Sequence, residues 1–424
     1  MDSITNPGAA YLDIPRPRYG SSAAAWLRIH RYLPVAAFYF FFNRAGLPVG
    51  LFYTTLFAPL LYIWLYTKGQ RWLTSRFLLV LSPFILAQGI NGVASWSQYA
   101  RSVAVMWTVY VAVYAFCWAL MHTRTVDRLL EQLIVLNCCA GVIALMLRPT
   151  PLWWLLWDDR SAVPGAPHLL RMNLPSTTEP WAYGQLMLPL LLFTVFRLLR
   201  DSSLRNVACF TMVLFPFLLC QSFGGISLAL AGSLVLILTH RRRILRRPES
   251  WILIICLGFI TGAFLLIPNP IAARVTRVIA GGDGSANLRA FFAYPAAYFI
   301  ASSKSLWWGV GIGQLKQMDL SFLGHGIDNT LPNAVSQNFA ELGIVGVCVR
   351  FAVEFYLFAR TRVYRSSFRT AAFIVAFLSQ LTGSYLDDVQ SYLLWLFAFY
   401  PLFPEAERDD RGEKQYDYAG VTSA

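Results

Sequence analysis

Basic side chains that could bind a phosphate lie in the segment between residues 269 and 332. Arg274, Arg277 and Arg289 crowd into its first part. A guanidinium group is always charged and binds phosphate oxygens in pairs, so such a cluster suits an anionic headgroup. We expect a lipid phosphate or diphosphate as its ligand. For any single arginine, a side chain that reaches toward the lipid headgroups is the simpler interpretation.

Side chains that could accept a proton lie in the same segment and at the start of two apolar runs. His325 is followed by Asp328, and this spacing suits a general base and the carboxylate that orients it. Glu341 falls about 12 Å into an apolar run that begins at residue 333. At that depth an acid is either functional or favourably placed near a helix terminus. Glu179 has the same two interpretations.

A glycine-rich stretch, WWGVGIGQL, lies between these arginines and the histidine. Its glycines, Gly309, Gly311 and Gly313, superficially resemble a nucleotide-binding loop. No strand is expected before them and no βαβ unit around them, which argues against a dinucleotide site. We therefore expect close backbone packing or a tight turn, for which glycine is suited.

The elements that must position these residues are apolar. The chain is 57% hydrophobic and 13% charged, whereas soluble domains have about 45–50% apolar and about 25% charged residues. The net charge of +13 comes from short arginine clusters between apolar runs, so we expect no nucleic-acid partner. All 7 cysteines lie in apolar runs, without the spacing of a disulfide framework or a zinc site.

Apolar runs wide enough to cross a bilayer recur along the chain and predict about twelve transmembrane helices. They lie near residues 26–43, 48–66, 77–96, 102–121, 129–147, 181–197, 205–221, 224–239, 251–268, 333–358, 370–386 and 390–404. Most of the 35 Lys and Arg residues fall in alternate connecting segments. Because cytoplasmic loops collect positive charge, both termini are predicted to be cytoplasmic. The predicted fold class is all-α, a polytopic integral membrane protein.

The predicted organisation is a single transmembrane domain, residues 26–404, between cytoplasmic tails at 1–25 and 405–424. Two long segments, 148–180 and 269–332, fall on the outer side of the membrane. Segments of this length without predicted structure are usually functional or disordered. Their aromatic runs, PLWWLLW and LRAFFAYPAAYFIASS, favour short interfacial helices over disorder.

Four stretches of the chain, in their order, resemble the O-antigen polymerase and O-antigen ligase superfamily of multi-span glycosyltransferases. They are RMNLPSTTEPWAYGQLMLPLLL from Arg171, QSFGGISLALAGSLVLIL from Gln221, GSANLRAFFAYPAAYFIASSKSLWWGVGIGQ around Arg289, and LPNAVSQNFAELGIVG ending at Gly346. The order of these motifs, with a long outer segment before the last one, carries the resemblance.

The resemblance implies an inverting, metal-independent glycosyl transfer that uses no cofactor, at the periplasmic face of the bacterial inner membrane. The donor would be a glycan linked to polyprenyl diphosphate and the acceptor a second glycan, among membrane lipids. A chain-length regulator and a flippase would be further partners. By the same likeness, Arg289 and Arg171 would contact the diphosphate, and Arg274 and Arg277 would assist them.

The chain departs from the family at the start of the last motif, where ligases carry a His-Asn pair. The corresponding residues here are Pro332 and Asn333, so the ligase base is missing and Asn333 alone is kept as a candidate. His325 is then the preferred base, because its ordinary pKa already lies near neutral pH. Asp328, Glu341 and Glu179 are its rivals.

This departure favours a polymerase of lipid-linked repeat units of an O-antigen or an exopolysaccharide. An O-antigen ligase that transfers glycan to a lipid core stays open as an alternative. So does a transporter of polysaccharide or lipid, which would be expected to show paired repeats and interrupted helices with charged residues at mid-membrane.

Overall fold

The computed structural model describes residues 53–121, 126–159, 170–173, 180–241, 276–277, 280–282, 287–318, 331–383 and 389–401. These residues are mostly helical. The predicted apolar runs 26–43 and 251–268 lie outside the described residues, as do both predicted tails.

The helices overlap every predicted apolar run that reaches into the described residues. They are α1 (Tyr53–Thr67), α2 (Leu73–Asn91), α3 (Trp96–Met121), α4 (Val126–Leu147), α5 (Pro180–Arg200), α6 (Leu204–Leu219), α7 (Phe223–Thr239), α8 (Ala293–Ser302), α9 (Ala334–Arg360), α10 (Ser367–Thr382) and α11 (Val389–Phe399). Among the described residues, four helices are long and apolar enough to cross a membrane: α3, α4, α5 and α9. A helix satisfies its own peptide groups, so an apolar run in lipid favours this backbone.

Helix α5 lies at the centre of the largest group of packed helices. The window Tyr183–Arg200 is 89% buried, and α6, α7, α10 and α11 all pack against it. Its leucine, methionine and phenylalanine side chains belong to the main hydrophobic core. A helix that is apolar on all sides belongs in a protein core or in a membrane, and the neighbours of α5 make it the core here.

Helix α8 packs on α9 through one face. That face is small, with Ala296, Ala297 and Ile300 buried, and small side chains allow two helix backbones to approach closely. The opposite face exposes aromatic rings, among them Tyr298 and Phe299. The helix predicted for the second aromatic run is therefore present.

The first aromatic run, PLWWLLW, differs from the expected interfacial helix. It forms one 3-10 turn, Trp153–Leu155, and then strand β1 (Trp157–Asp159), which pairs antiparallel with β2 (Leu170–Met172). The Trp157 indole is buried, and its Nε1 donates to the Ala144 carbonyl oxygen of α4 at 2.7 Å. The ring therefore docks strand β1 on the last turn of α4, which lies before the turns that connect the two elements.

A carboxylate ties three helices together at one end of the core. Glu131 of α4 accepts from Arg197 of α5 at 2.5 Å and from Arg205 of α6 at 2.6 Å. Arg350 and Glu354 are four positions apart in the sequence, a spacing that predicts an ion pair on one helix face. The pair is formed on α9, where Arg350 Nε donates to Glu354 Oε1 at 3.1 Å.

A buried arginine, Arg369, joins the ends of three helices. It lies in the first turn of α10, where its Nε donates to the Ala398 carbonyl at 3.0 Å. Its Nη2 donates to the Thr361 carbonyl at 2.8 Å and to the Phe399 carbonyl at 2.9 Å. These are terminal carbonyls of α9 and α11, which lack partners within their own helices.

Candidate functional site

Arg289 lies in a π-helical turn, Leu288–Phe292, that leads directly into α8. Single π turns carry one residue more than an α turn and occur frequently at functional sites. The Arg289 side chain is half-buried. Its main-chain carbonyl accepts a hydrogen bond from Asn333 Nδ2 at 3.2 Å. Arg289 is therefore held at the beginning of α9, 44 residues further along the chain.

Asn333 is fully buried and is the N-cap of α9. Its Oδ1 accepts from the main-chain N–H of Ser336 at 2.7 Å, which satisfies one of the donors that a helix start leaves unpaired. One carboxamide thus caps the helix with its oxygen and holds the Arg289 turn with its nitrogen. Asn333 therefore links the turn that carries Arg289 to the helix that carries Glu341.

The first half of α9 presents a row of polar side chains to the protein interior. Gln337, Asn338 and Glu341 are 8%, 2% and 5% exposed. At 100° per residue these three positions lie within one arc of about 100° on the helix surface. Glu341, which the sequence singled out, is therefore the inner end of a polar stripe that begins at Asn333.

Helix α9 is interrupted just after Glu341. Gly343 has φ 65° and ψ −161°, which no α-helix contains. The segment 306–311 runs alongside the break and pairs with the backbone on both sides of it. Its N–H groups at Val310 and Gly311 donate to the carbonyls of Ala340 and Glu341, each at 2.9 Å. We name residues 306–311 the clasp segment.

The second half of α9 is bound to the same segment. The N–H groups of Ile344 and Val345 donate to the carbonyls of Leu306 and Trp307, each at 3.1 Å. Backbone groups that the break removes from the helical pattern thus find partners in the clasp segment. Such re-pairing is what makes a broken helix tolerable in a low-dielectric interior.

Glycines make this close backbone contact possible. Gly309 has φ 68° and Gly343 has φ 65°. A Cβ atom at Gly309 would lie 2.5 Å from the Glu341 carbonyl carbon, and one at Gly343 would lie 2.4 Å from the Trp307 main chain. The expectation of close backbone packing for the glycine-rich stretch is confirmed.

Contacts with α2 and the α2–α3 connection hold the clasp segment and the residues on either side of it. Gln88 Nε2 donates to the Trp308 carbonyl at 3.1 Å. The Gln314 amide pairs with both main-chain groups of Ser95, accepting at 2.8 Å and donating at 2.9 Å. Lys304 donates to the Gly92 carbonyl. Glu341 is therefore positioned by residues from three separate parts of the sequence.

The remaining predicted residues divide into two groups. Arg171 lies in β2, half-buried and opposite Asp158 of β1, and Arg277 is half-buried in the short described piece 276–277. The predicted residues outside the described part of the chain are Arg274, His325, Asp328 and Glu179. Among the described candidates, the structure brings Arg289, Asn333 and Glu341 into one arrangement.

Four carboxamide residues of this site were not predicted: Gln88, Gln314, Gln337 and Asn338. Uncharged amides inside an apolar run carry little signal. The only hint was the polar sequence SQNFAE at the start of a predicted span. Within the part of the chain that the structure describes, no cluster of three or more His, Cys, Asp or Glu side chains could hold a metal ion.

Comparison of the chain with models of known protein families gave no match, and comparison with curated proteins gave none either.

Proposed function

We propose that this protein is a membrane glycosyltransferase that polymerises oligosaccharide repeat units linked to polyprenyl diphosphate, at the periplasmic face of the bacterial inner membrane. The repeat units would be those of an O-antigen or an exopolysaccharide. The ordered motifs of the sequence support this assignment. The structural observation that supports it most is the hydrogen bond from Asn333 to the Arg289 carbonyl, at 3.2 Å. It brings an arginine to the start of a buried polar stripe that ends at a carboxylate.

The proposed topology has about twelve membrane helices with both termini in the cytoplasm. The segments 148–180 and 269–332 are then periplasmic, and the tails 1–25 and 405–424 are cytoplasmic. Arg289 and Asn333 would both lie at the periplasmic side, where a lipid-linked donor presents its diphosphate. The exposed aromatic face of α8 supports this placement, because aromatic side chains favour the membrane interface.

In the proposed reaction, a hydroxyl oxygen of the acceptor sugar attacks the anomeric carbon of the donor sugar. The bond from that carbon to the diphosphate breaks, and the diphosphate leaves with the electron pair. Arg289 and Arg171 would neutralise the departing charge, with Arg274 and Arg277 assisting. A single displacement of this kind inverts the anomeric configuration and needs no cofactor.

The hydroxyl proton must pass to a base, which is typically worth about a hundredfold to ten-thousandfold in rate. His325, oriented by Asp328, is the base we propose. Glu341 is the rival whose surroundings are described: it is buried next to the break in α9 and is held by the clasp segment. Glu179 is the second rival.

One structural observation favours the transporter alternative. Transporters commonly bind their substrate at interrupted helices, and α9 is interrupted at Gly343 beside a buried carboxylate. Here, however, the clasp segment takes up backbone groups on both sides of the break, whereas in a transporter such groups coordinate the substrate or ion. The O-antigen ligase alternative rests on the family resemblance alone.

Deletion of the gene separates these functions by the glycan that accumulates. A polymerase mutant should retain single repeat units on lipid, and a ligase mutant should accumulate finished polymer that never reaches the lipid core. A transporter mutant should hold its glycan on the cytoplasmic face. Unchanged polymer length in the deletion strain would contradict the proposed function.

A further inference from the structure

The polar stripe of α9 contains oxygen atoms that the protein itself leaves without hydrogen bonds. Within the described residues, Gln337 Oε1 and Asn338 Oδ1 are fully shielded from solvent and have no partner. Buried polar atoms are paired in the great majority of cases, so each exception needs an explanation. An acceptor kept dry and unpaired is suited to receive a hydrogen bond from a ligand.

The stripe has the chemistry of a saccharide-binding surface. Sugar hydroxyls both donate and accept, and a carboxamide side chain offers both roles on adjacent atoms. Asn338 already uses its nitrogen, which donates across the break to the Gly346 carbonyl at 3.4 Å, so its oxygen is the group left for a ligand. Glu341 lies four positions after Gln337 and three positions after Asn338, and side chains at these spacings are neighbours on a helix surface.

The charge of the surroundings argues for a neutral polyhydroxyl ligand and against a metal cation. The arginine Arg289 neighbours the stripe, because its main chain is bound to the first residue of the stripe. A guanidinium at this position repels cations and attracts phosphate. A sugar attached to a diphosphate would suit both the arginine and the amides. Its diphosphate would bind Arg289, and its hydroxyl groups would form hydrogen bonds with the amides.

We propose that Gln337, Asn338 and Glu341 form a saccharide-binding subsite that receives hydroxyl groups of a sugar substrate. The proposal rests on the proposed function, because only a transferase of lipid-linked glycans needs a sugar site beside a diphosphate site. It goes further by assigning sugar recognition to two carboxamides to which the family resemblance gives no role.

The test measures binding of oligosaccharides to the full-length protein in lipid nanodiscs. The probe is the oligosaccharide mixture released by partial acid hydrolysis of the host's surface polysaccharide, which carries no diphosphate. Gln337→Met and Asn338→Leu keep the approximate size of each side chain and remove its hydrogen bonds. Each should weaken binding about tenfold, the effect of one lost hydrogen bond.

Gln185→Met is the matched control. Gln185 is a fully buried carboxamide of α5, and within the described residues both of its side-chain polar atoms lack a partner. This variant should bind the probe as the wild type does. Gln337→Met should also leave the melting temperature of the empty protein unchanged or higher, because it removes a buried acceptor that is unpaired without ligand.

Wild-type affinity in both stripe variants, or equal weakening in Gln185→Met, would overturn the subsite. A cation site would also overturn it. In that case the wild type would melt at a higher temperature in sodium chloride than in potassium chloride, and Gln337→Met would not show this difference. If the stripe variants lose binding while the wild type makes no polymer, the subsite stands and the proposed function fails. If the wild type polymerises and the variants bind normally, the function stands and the subsite fails.

Discussion

At the scale of single residues, Arg289 combines two separable roles. Its main-chain carbonyl holds the start of α9 through Asn333, while its side chain is the proposed diphosphate contact. A side-chain substitution therefore leaves the hydrogen bond to Asn333 possible. This separation makes the charge itself testable.

Arg289→Ala should lower polymer formation on the order of a hundredfold, as expected for a lost transition-state contact of about 3 kcal/mol. Arg289→Lys should restore only part of the rate, because an ammonium lacks the two-pronged geometry of guanidinium. The measurement is polymer length and yield at equal protein abundance in the membrane. Full activity of Arg289→Ala would show that the side chain only anchors the protein to headgroups.

The identity of the general base can also be tested by single substitutions. His325→Ala should block elongation while the lipid-linked donor still binds, and Asp328→Asn should reduce it less, because an orienting group contributes indirectly. Rates of elongation and donor affinity, measured separately, give the answer. Normal elongation by His325→Ala together with its loss in Glu341→Gln or Glu179→Gln would move the role of base to a membrane-proximal carboxylate.

At the scale of elements, the break in α9 depends on glycine. Gly343→Ala places a side chain at φ 65° and ψ −161°, a backbone region that essentially only glycine adopts and that costs about 1–3 kcal/mol. It also places a Cβ atom 2.4 Å from the main chain of Trp307. We expect a melting temperature several degrees lower for the purified protein, and loss of activity because Glu341 moves with the break.

The control for this substitution is Gly89→Ala in α2. A Cβ atom there would have no neighbour within 4 Å, and alanine favours a helix interior over glycine by about 1 kcal/mol. Gly89→Ala should therefore melt at the wild-type temperature or above it. Equal melting temperatures of the two variants would show that the clasp segment does not pack closely against Gly343.

Arg369 determines how α9, α10 and α11 meet. Arg369→Leu leaves three helix-terminal carbonyls without their donor, each costing about 1–3 kcal/mol when buried. We expect a large drop in melting temperature or in membrane abundance. Arg365→Leu, at an exposed position four residues earlier, should have little effect. Wild-type melting of Arg369→Leu would refute its role in joining these helices.

At the scale of the whole molecule, the topology can be tested without any assumption about chemistry. Reporter fusions near residues 245 and 365 should report the cytoplasm, and fusions near 165 and 300 the periplasm, because Lys and Arg are retained on the cytoplasmic side. A periplasmic signal near 245, beside a cluster of five arginines from Arg241 to Arg247, would reject the proposed orientation.

Much of the helical architecture could be predicted from the sequence alone. Each apolar run that reaches into the described residues overlaps a helix, since hydropathy is a local property and the helix is the local backbone solution for an apolar segment. The spacing of Arg350 and Glu354 predicted their ion pair, and the crowding of Gly309, Gly311 and Gly313 predicted close backbone packing. These features depend on residues that are near one another in the chain.

The tertiary structure alone decided which distant residues meet. Asn333 was a candidate only through the family resemblance, and its contact with the Arg289 carbonyl depends on how α8 packs on α9. Likewise, the run PLWWLLW ends in a strand whose Trp157 ring is buried against α4. The amides of Gln337 and Asn338 became significant only through their burial. Burial and contact arise from the packing of whole elements, and a one-dimensional pattern of residue types does not contain that packing.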